Sequence, residues 1–269
     1  RSSDLTLYGR IYCPGVGDDT ACLVCILMAA KYIAGIVGTE NWKKIRKPDA
    51  PGLLLVCNSA EEGLGNLKGV KQICETYGDR MQSFCTFDST LDKIVDRAVG
   101  SKRYRISVST EGGHSFNDFG KENAIEKIAG IISKLYSVSV PEGGKTTFNV
   151  GEISGGTSVN VIAQNAEMLY EFRSDVSEHL DMMEEYFQKI ISEEQKKGLN
   201  VSVEVIGLRP CGKNVDPMRQ EELCRRALRA VEGITGKVPK RNSGSTDCNI
   251  PLSLGIPSVC IGSYMGAKS

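Results

Sequence analysis

Five acidic residues in this chain stand where apolar segments meet turns, and they could bind divalent metal ions. They are Asp18, Asp19, Glu61, Glu62 and Asp88. Adjacent carboxylates repel each other unless a cation neutralises them, and their oxygens are the hard ligands that divalent ions prefer. Each acidic pair alone could instead cap a helix, since acidic side chains are favoured at helix N-termini. The third acidic position, directly after an apolar stretch, favours a metal site.

The composition is that of an ordinary globular protein with one large domain or two smaller ones. The 269 residues are 41% hydrophobic and have a formal net charge of zero. There is no basic surface for nucleic acid, no apolar run of the ~20 residues that span a bilayer, and no signal-peptide pattern at the start. These features predict a cytoplasmic protein without nucleic-acid or membrane partners.

The ten cysteines do not have the pattern of a disulfide framework. Most of them lie in apolar segments, where a reduced thiol behaves as a small hydrophobic side chain. Cys22 and Cys25 have the spacing of a metal or redox motif, but they fall within an apolar helical segment and no second such pair follows. We therefore interpret them as core residues of a protein in a reducing compartment.

Helical and strand patterns alternate in the first part of the chain and predict an α/β fold. Residues 19–33 and 64–76 have helical periodicity, whereas residues 53–57 and 83–87 are short apolar runs typical of buried strands. This alternation is typical of a mostly parallel sheet covered by helices. It returns near the C-terminus with a helix at 219–234, a loop at 242–249 and a strand at 258–261.

The middle of the chain has a different pattern, which predicts an inserted ferredoxin-like (α+β) domain. Its elements follow the order strand, helix, strand, strand, helix, strand. Composition shifts near residues 102 and 208 favour an insertion over two sequential domains. The predicted boundaries are 1–101 and 208–269 for the two parts of the α/β domain and 102–207 for the insertion. The inserted elements are predicted at 103–109, 123–135, 146–153, 166–172, 177–197 and 201–206.

Seven short motifs, in their order and spacing, resemble those of the zinc-dependent peptidase T, aminoacylase and carboxypeptidase G family of co-catalytic metallopeptidases. The resemblance covers essentially the whole chain and is closest to the peptidase T-like branch. It implies a catalytic α/β domain with two metal ions and an inserted lid that also mediates dimerisation. The motifs are Gly17-Asp18-Asp19, Ala60-Glu61-Glu62-Gly63, Phe87-Asp88, Glu111-Gly112-Gly113-His114-Ser115, Asn160-Val161-Ile162, Phe172-Arg173 and Gly244-Ser245-Thr246-Asp247-Cys248-Asn249.

The resemblance implies a role for each acidic residue. Asp18 would bridge two divalent ions, zinc in the first place with cobalt or manganese as alternatives, and Glu62 and Asp88 would each ligate one ion. Glu61 would be the general base. A carboxylate that ligates a metal is a poor proton acceptor, whereas a neighbouring carboxylate that does not ligate it can take a proton from metal-bound water.

Family members also use two histidine ligands, and neither stands at a matching position of this chain. Its only histidines are His114 and His179. We expect that the chain is truncated at both ends, so that both histidine ligands are missing from it. The alternatives are that these histidines are disordered or truly absent. A site of carboxylate oxygens favours magnesium, calcium or manganese over zinc. The chain as given is therefore expected to be metal-free and inactive.

Three residues of the lid are candidates for substrate contact. By resemblance, His114 would reach from one subunit into the partner's active site and stabilise the oxyanion of the tetrahedral intermediate, and Asn160 would also contact substrate. A lone histidine after two glycines could instead be a solvated turn residue. Arg173 could hold a substrate carboxylate through two hydrogen bonds, or it could form an exposed salt bridge with Glu171 or Asp175.

The loop with Gly244, Ser245 and Thr246 has two interpretations. Small hydroxyl side chains before a short helical turn are typical of helix capping. The resemblance instead makes this loop a substrate-binding segment beside the metals.

Amide hydrolysis in short peptides is the reaction that the resemblance implies. Two metal ions would activate a bridging water, and Glu61 would move its proton to the leaving amine. An aspartate at the position of Asp88 resembles the aminopeptidase and dipeptidase members, so we expect an aminopeptidase or a di- or tripeptidase. The alternatives are an N-acyl amino acid deacylase, and a metal-free relative that acts as a dimerising binding protein.

A homodimer through the lid is the predicted assembly. The lid offers two helices and an alternating strand whose edge could pair across a two-fold axis. The remaining predicted partner is the substrate, a small peptide or an acyl amino acid.

Overall fold

The structure, a computed structural model, divides into two compact units. The described residues are 5–7, 10–12, 16–38, 52–88 and 90–264. Unit 1 comprises the described parts of Arg1–Glu61, Leu67–Ala98 and Lys213–Ser269, and unit 2 comprises Glu62–Asn66 and Val99–Gly212. The domain boundaries near residues 102 and 208 stay predictions.

Twelve strands and six α-helices lie in the described residues. The strands are β1 (Leu5–Leu7), β2 (Arg10–Tyr12), β3 (Phe84–Phe87), β4 (Lys93–Ala98), β5 (Gly100–Ser109), β6 (Gly113–His114), β7 (Thr146–Gly155), β8 (Val161–Ile162), β9 (Asn165–Ser174), β10 (Asn200–Arg209), β11 (Lys240–Gly244) and β12 (Ser258–Ile261). The helices are α1 (Cys22–Val37), α2 (Lys68–Tyr77), α3 (Ala124–Leu135), α4 (Ser177–Lys196), α5 (Pro217–Thr235) and α6 (Asn249–Ser253).

The main sheet of unit 1 has four strands in the order β11, β4, β12, β3. Strand β11 pairs with β4 and strand β12 with β3 in parallel, whereas β12 and β4 are antiparallel. Helices α5 and α6 pack on this sheet, and α2 packs on α6. Two of the three pairings are parallel, so the predicted α/β fold with a mostly parallel sheet is confirmed.

Helix α5 shows the local signals that begin and end a helix. The Asp216 carboxylate accepts hydrogen bonds from two backbone amides of the first turn, at 2.8 and 3.2 Å, and Pro217 is the first helical residue. Gly236 ends the helix with φ at 68°, a conformation that glycine adopts without strain. These caps extend α5 beyond the predicted range, 219–234, at both ends.

The prediction of a buried strand at residues 53–57 is wrong. These residues belong to no strand, and the Leu53 side chain is 68% exposed. An apolar run forms a strand only where a neighbouring strand pairs with its backbone, and no strand of the described residues does so. The thiol of Cys57 is likewise exposed.

The sequence pattern does not predict β4 and β11, which pair within the unit 1 sheet. Strand β11 occupies the start of the predicted loop at 242–249, and α6 begins at the last residue of that loop. Both strands carry charged residues and lack clear apolar alternation. Asp96 in β4 is buried and accepts a hydrogen bond from Arg241 Nε in β11 at 2.5 Å. A cross-strand ion pair therefore stabilises a pairing that the apolar pattern does not indicate.

Helix α1 is apolar on most of its surface and largely exposed. Cys22 is buried, whereas Leu27, Met28 and Tyr32 are exposed, and so is the thiol of Cys25. The stretch Asp19–Ile36 is long and apolar enough to cross a membrane by length and composition, which corrects the expectation that no apolar run has this length. Core helices and signal sequences share this composition, and the absence of a membrane partner stays a prediction.

Unit 2 has the predicted ferredoxin-like arrangement. Its four-stranded sheet is antiparallel throughout and has the order β10, β5, β9, β7. Helix α3 connects β5 to β7, α4 connects β9 to β10, and both helices pack on the sheet. Buried and half-exposed residues alternate along β5 and β9, so one face of the sheet lies in the core.

The core of unit 2 is centred on stacked aromatic rings. The ring of Phe187 on α4 stacks on Tyr104 at a centroid distance of 4.4 Å and on Tyr170 at 5.7 Å. All three side chains are buried. Phe187 therefore joins the helix layer to both central strands of the sheet.

We predict that Phe187→Ala lowers the free energy of unfolding by about 3–5 kcal/mol, because it leaves a cavity where three rings meet. Met182→Ala on the exposed side of the same helix is the control, with an expected change within about 0.5 kcal/mol. Urea unfolding followed by circular dichroism measures both variants. Equal losses in the two variants would contradict this account of the core.

Because unit 1 contains buried thiols, we predict that the protein loses stability at alkaline pH. Burial raises the pKa of Cys74 to about 11 and that of Cys224 to about 12, with smaller effects from the charges of Asp247 and Asp96 respectively. In the unfolded chain both thiols ionise near their ordinary pKa of 9.0. Between these values the unfolded state binds fewer protons than the folded state, so the free energy of unfolding falls as pH rises.

The expected fall is at most about 1.4 kcal/mol per pH unit for each thiol. Unfolding in urea under reducing conditions, measured between pH 8 and 11, tests this prediction. Cys74→Ala should flatten the profile, whereas Cys57→Ala, at an exposed position, should leave it unchanged. A wild-type profile that is already flat would show that these thiols do not control alkaline stability.

Candidate functional site

A short strand pair in unit 2 brings together two of the predicted substrate residues. Strand β6 pairs with β8 so that His114 lies opposite Val161. The backbone amide of Ser115 donates to the carbonyl of Asn160 at 3.0 Å, and the Ser158 hydroxyl donates to Asn160 Oδ1 at 2.8 Å. His114 and Asn160, which are 46 residues apart in sequence (160 − 114), therefore lie at one edge of the unit.

A tight turn holds His114 in place. The His114 amide donates to Asp118 Oδ2 at 2.8 Å, and the Asp118 amide donates back to the His114 carbonyl at 2.9 Å. Gly113 has φ at 151°, and a Cβ at this position would lie 2.7 Å from the Cβ of Asp118. The turn therefore needs glycine before the histidine, which explains the Gly-Gly-His sequence in physical terms.

The imidazole of His114 has a defined hydrogen-bonding role. Its Nδ1 accepts from the backbone amides of Phe116 at 3.3 Å and Asn117 at 3.4 Å. A ring nitrogen that accepts from an amide carries no proton, so the neutral ring must carry its proton on Nε2. Because the side chain is exposed, this arrangement presents an Nε2–H donor at the surface of the unit.

Charges around the turn reinforce its geometry. The hydrogen bond from the His114 amide, followed by that from the Lys121 ammonium, holds the pKa of Asp118 below its usual value. The pKa of Lys121 is raised, first by Glu111 and then by Asp118. Lys121 thus links Glu111 to the turn. Its Nζ lies 2.8 Å from the Glu111 carboxylate and 3.2 Å from the Asp118 carboxylate.

Arg173 forms a salt bridge within its own strand. Its Nε and Nη2 donate to the two carboxylate oxygens of Glu171 at 2.8 and 3.0 Å. The same carboxylate accepts from Arg103 Nε at 3.0 Å, and the pKa of Glu171 is lowered by these two guanidinium groups against the opposing effect of burial. The structure thus shows the salt-bridge alternative, and a substrate-binding role for Arg173 stays a prediction.

The segment that leads to Glu61 is held by contacts within unit 1. Asn58 Nδ2 donates to Asp247 Oδ2 at 2.9 Å, and a Cβ at Gly69 of α2 would clash with the carbonyl oxygen of Ser59. Ala60 has φ at 62°, a left-handed conformation that is unfavourable for alanine. These contacts constrain the backbone directly before Glu61, whose side chain is half-buried.

Asp88 lies at the end of β3 and is tied to the neighbouring strand. The Cys260 thiol of β12 donates to the Asp88 carbonyl at 3.0 Å. Next to it, a Cβ at Gly262 would clash with the backbone oxygen of Thr90. Burial and, next, the negative charge of Asp88 raise the pKa of Cys260 well above its usual value, so this thiol stays protonated as a donor.

The described side chains do not include the full set of predicted metal ligands, so the predicted site is not tested. The side chain of Asp18 lies outside the described residues, Glu62 is exposed, and Asp88 is half-buried. Within the described ranges, no group of three or more His, Cys, Asp or Glu side chains is arranged to hold a metal ion. The ligand roles of Asp18, Glu62 and Asp88 therefore stay predictions.

The loop at Gly244, Ser245 and Thr246 has the hydrogen bonds of a helix start. Thr246 is buried, its amide donates to Asn249 Oδ1 at 2.9 Å, and its hydroxyl accepts from the Cys248 amide at 3.2 Å. Gly244 ends β11, and a Cβ there would press against the Val95 side chain at 3.1 Å. Packing and capping account for these residues, and their contact with substrate stays a prediction.

Comparison with known proteins shows which domain family unit 2 matches. The family model described as "Peptidase dimerisation domain" matches residues 98–199. A succinyl-diaminopimelate desuccinylase from Nitrosococcus oceani is 24% identical over 202 residues, which cover 70% of this chain and 50% of the relative. Residues 98–199 therefore belong to the M20 peptidase dimerisation-domain family. This agrees with the family that the seven motifs resemble.

Solved structures resemble the fold of this chain. Aminopeptidase PepT from Bacillus cereus superposes with a TM-score of 0.67 at 21% identity, over 96% of this chain and 67% of that one. A tripeptidase from Staphylococcus aureus gives a TM-score of 0.60 at 22% identity, over 73% of this chain and 52% of that one. The chain spans about half the length of the curated relative above.

Asp118 and Cys260 of the candidate site were not singled out from the sequence, and Asp247 was named only as part of a motif. Asp118 braces the His114 turn, Asp247 holds Asn58 before Glu61, and Cys260 holds the backbone of Asp88. Asp118 had a local signal, since an aspartate four residues after a Gly-Gly-His sequence can close a turn. The other two act across long sequence separations and carry no local signal.

We predict that Asp118→Ala raises the hydrogen-exchange rate of the His114 amide by about tenfold or more, because a charge-assisted hydrogen bond is lost. Asp118→Asn, which keeps a neutral acceptor, should give a smaller increase. Exchange measured by NMR tests both variants. Glu122→Ala, which removes an ion pair outside the turn, serves as the control. Unchanged protection in Asp118→Ala would show that the turn does not depend on this carboxylate.

Proposed function

We propose that the complete protein hydrolyses amide bonds in short peptides, as an aminopeptidase or a di- or tripeptidase. The match to a peptidase dimerisation domain and the similarity to a desuccinylase support the reaction class. The single structural observation that carries the proposal is the pairing of β6 with β8, which brings His114 and Asn160 together. Similar solved structures include an aminopeptidase and a tripeptidase, and by resemblance the aspartate at position 88 favours the aminopeptidase members.

In this proposal His114 stabilises the developing oxyanion. The backbone amides of Phe116 and Asn117 keep the imidazole proton on Nε2, so the ring can donate to the scissile carbonyl oxygen without first becoming protonated. A preorganised donor of this kind lowers the barrier because it needs no reorientation when charge develops. Asn160, fixed through its Oδ1 by Ser158, presents its Nδ2 group as a second donor for the substrate.

Glu61 is the proposed general base. It would take a proton from the attacking water and deliver it to the leaving amine, a role that suits a half-buried carboxylate on a constrained backbone. Its neighbour Glu62 is the more exposed of the two.

Two divalent ions, zinc in the first place and cobalt or manganese as alternatives, belong to the proposal by resemblance. When bound, they would supply an activated water and polarise the scissile carbonyl. The described residues do not by themselves form a metal site. Glu61, His114 and Asn160 have their proposed roles by the same resemblance, and the contacts of this chain described above are compatible with those roles.

An N-acyl amino acid deacylase is the second candidate. The curated relative named a succinyl-diaminopimelate desuccinylase supports it, because removal of an acyl group is hydrolysis of the same kind of bond. The metal-free binding protein is a third possibility that needs no catalytic base. We further propose a cytoplasmic homodimer, supported by the dimerisation-domain match and by nine free cysteines in the part of the chain that the structure describes.

The proposal predicts that Glu61→Gln lowers kcat for di- and tripeptides by about a thousandfold, because it removes the proton acceptor. The complete protein, supplemented with zinc, cobalt or manganese, is assayed against di- and tripeptides and N-acetyl amino acids. Glu75→Gln, an exposed carboxylate on α2, is the matched control and should keep wild-type activity.

Hydrolysis of acyl amino acids but not of peptides would replace the first candidate by the deacylase. Activity in Glu61→Gln equal to that of the control would remove Glu61 from its proposed role. If the complete wild-type protein cleaves neither substrate class with any of the three metals, both enzyme proposals fail.

A further inference from the structure

Two cysteines of helix α1 contact the same residue of the segment that follows β12. The Ser263 hydroxyl donates to Cys22 Sγ at 2.8 Å, and the Cys25 thiol donates to the Ser263 carbonyl at 3.7 Å. Cys22 and Cys25, which we call the thiol pair, are three residues apart in one helix, so their side chains lie on the same face. Their shared contact places both sulfurs on the side of α1 that meets Ser263.

The members of the thiol pair differ in their access to solvent. Both are free thiols, but Cys22 is fully buried whereas Cys25 is exposed. The interpretation of both as core residues is therefore wrong for Cys25. An accessible cysteine beside a buried one is typical of a redox-active pair, in which the accessible sulfur reacts first and the buried sulfur resolves the adduct.

The spacing of the thiol pair also occurs in metal sites, but its surroundings do not favour one. Structural zinc sites take four ligands, which are mostly cysteine and histidine. Among the residues that the structure describes, no three His, Cys, Asp or Glu side chains are placed to hold a metal ion. The groups that Ser263 contributes are oxygens, which a soft metal disfavours. The contacts thus favour a reaction between the two sulfurs over a shared metal ion.

A disulfide can close within one turn of α1. The Cβ atoms of helical residues three apart lie about 5–6 Å from each other, and a disulfide needs about 4 Å. The helix begins at Cys22, directly after the π-helical turn Val16–Ala21. The thiol pair therefore lies where two helical geometries meet, and the backbone there can absorb a shift of about 1–2 Å more easily than a regular helix interior.

We propose that the thiol pair is a site of thiol–disulfide exchange with low-molecular-weight disulfides such as glutathione disulfide. The Cys25 thiolate attacks one sulfur of the small disulfide, whose S–S bond breaks and releases one glutathione thiolate. Cys22 then attacks Cys25 Sγ of the mixed disulfide, and the second glutathione leaves with the bonding electron pair. The two protons lost by the cysteines pass to the two leaving thiolates, so the protein is oxidised and the small disulfide is reduced by two electrons.

Ser263 supports the second step and responds to it. A thiol attacks as its thiolate, and a hydroxyl that donates to the sulfur stabilises that form, as the Ser263 hydroxyl does for Cys22. Closure of the disulfide removes the S–H donor of Cys25, so oxidation releases one contact between α1 and the segment after β12. The inference is independent of the proposed function, because it needs neither a substrate nor a dimer.

Peptide mapping of the wild-type chain after incubation with glutathione disulfide tests this proposal. The remaining thiols are alkylated, the chain is digested with trypsin, and the peptide 11–31 is fragmented in a mass spectrometer. That peptide contains Cys13 as well as the thiol pair, and fragmentation between Cys13 and Cys22 assigns each modification. We expect a disulfide between Cys22 and Cys25 that dithiothreitol reverses.

Cys57 is the internal control, since it is an exposed thiol without a second cysteine beside it in the sequence. It should keep a glutathione adduct. Cys22→Ala removes the resolving thiol and should raise the amount of glutathione adduct at Cys25 by about tenfold or more over the wild type. Circular dichroism checks that this variant folds, and the wild-type result stands without it.

Three outcomes would overturn the proposal. The first is a wild-type adduct at Cys25 as abundant as that at Cys57, because Cys22 would then not resolve it. The second is a disulfide that joins either member of the thiol pair to another cysteine, such as the buried Cys260. The third is a thiol pair that stays reduced under conditions that modify the same cysteines in the urea-unfolded chain.

Discussion

Backbone pairing between β6 and β8 is the constraint on which the candidate substrate site of this protein depends. Two residues on each side are enough to fix His114 beside the segment of Asn160. The pairing is possible because Gly113 adopts a backbone conformation that a side chain would disfavour and because the turn is closed by Asp118. Without it, an imidazole and an amide would sit on separate loops, and neither would have a fixed direction.

Unit 1 positions its acidic residues by a different means, namely close packing at the ends of strands. Asp88 follows the last residue of β3, and the adjoining strand holds its carbonyl through the Cys260 thiol. Glycine at 262 allows the chain at Thr90 to cross at a distance that excludes a side chain. In the segment before Glu61, the hydrogen bond from Asn58 to Asp247 restrains the backbone. Small residues and buried polar groups thus fix the backbone conformation, and the backbone in turn determines where the carboxylate side chains lie.

Much of the fold could be predicted because its signals are local. Helices α3 and α4 follow apolar periodicity, Asn123 caps α3 as its residue type predicts, and the alternation along β5 and β9 marks the buried face of a ferredoxin-like sheet. The strand predicted at 53–57 failed for the opposite reason. Apolar residues there satisfy a strand pattern, but pairing needs a neighbour that the pattern cannot supply. Strands β4 and β11 were missed because the buried residues of β4 do not alternate with exposed ones and because β11 has no apolar side chain.

Residue chemistry and order along the chain were enough to indicate a resemblance to a peptidase family, to predict the α/β class with its ferredoxin-like insertion, and to mark His114 and Asn160 as candidates. These features depend on side-chain type, on periodicity and on spacing, all of which are properties of the linear chain. Tertiary structure alone decided that Nδ1 of His114 is an acceptor, that Arg173 is occupied by Glu171, and that Phe116 and Phe119 face solvent. Such features arise from contacts between segments far apart in the chain, whose distances and angles are set only when the backbone is folded.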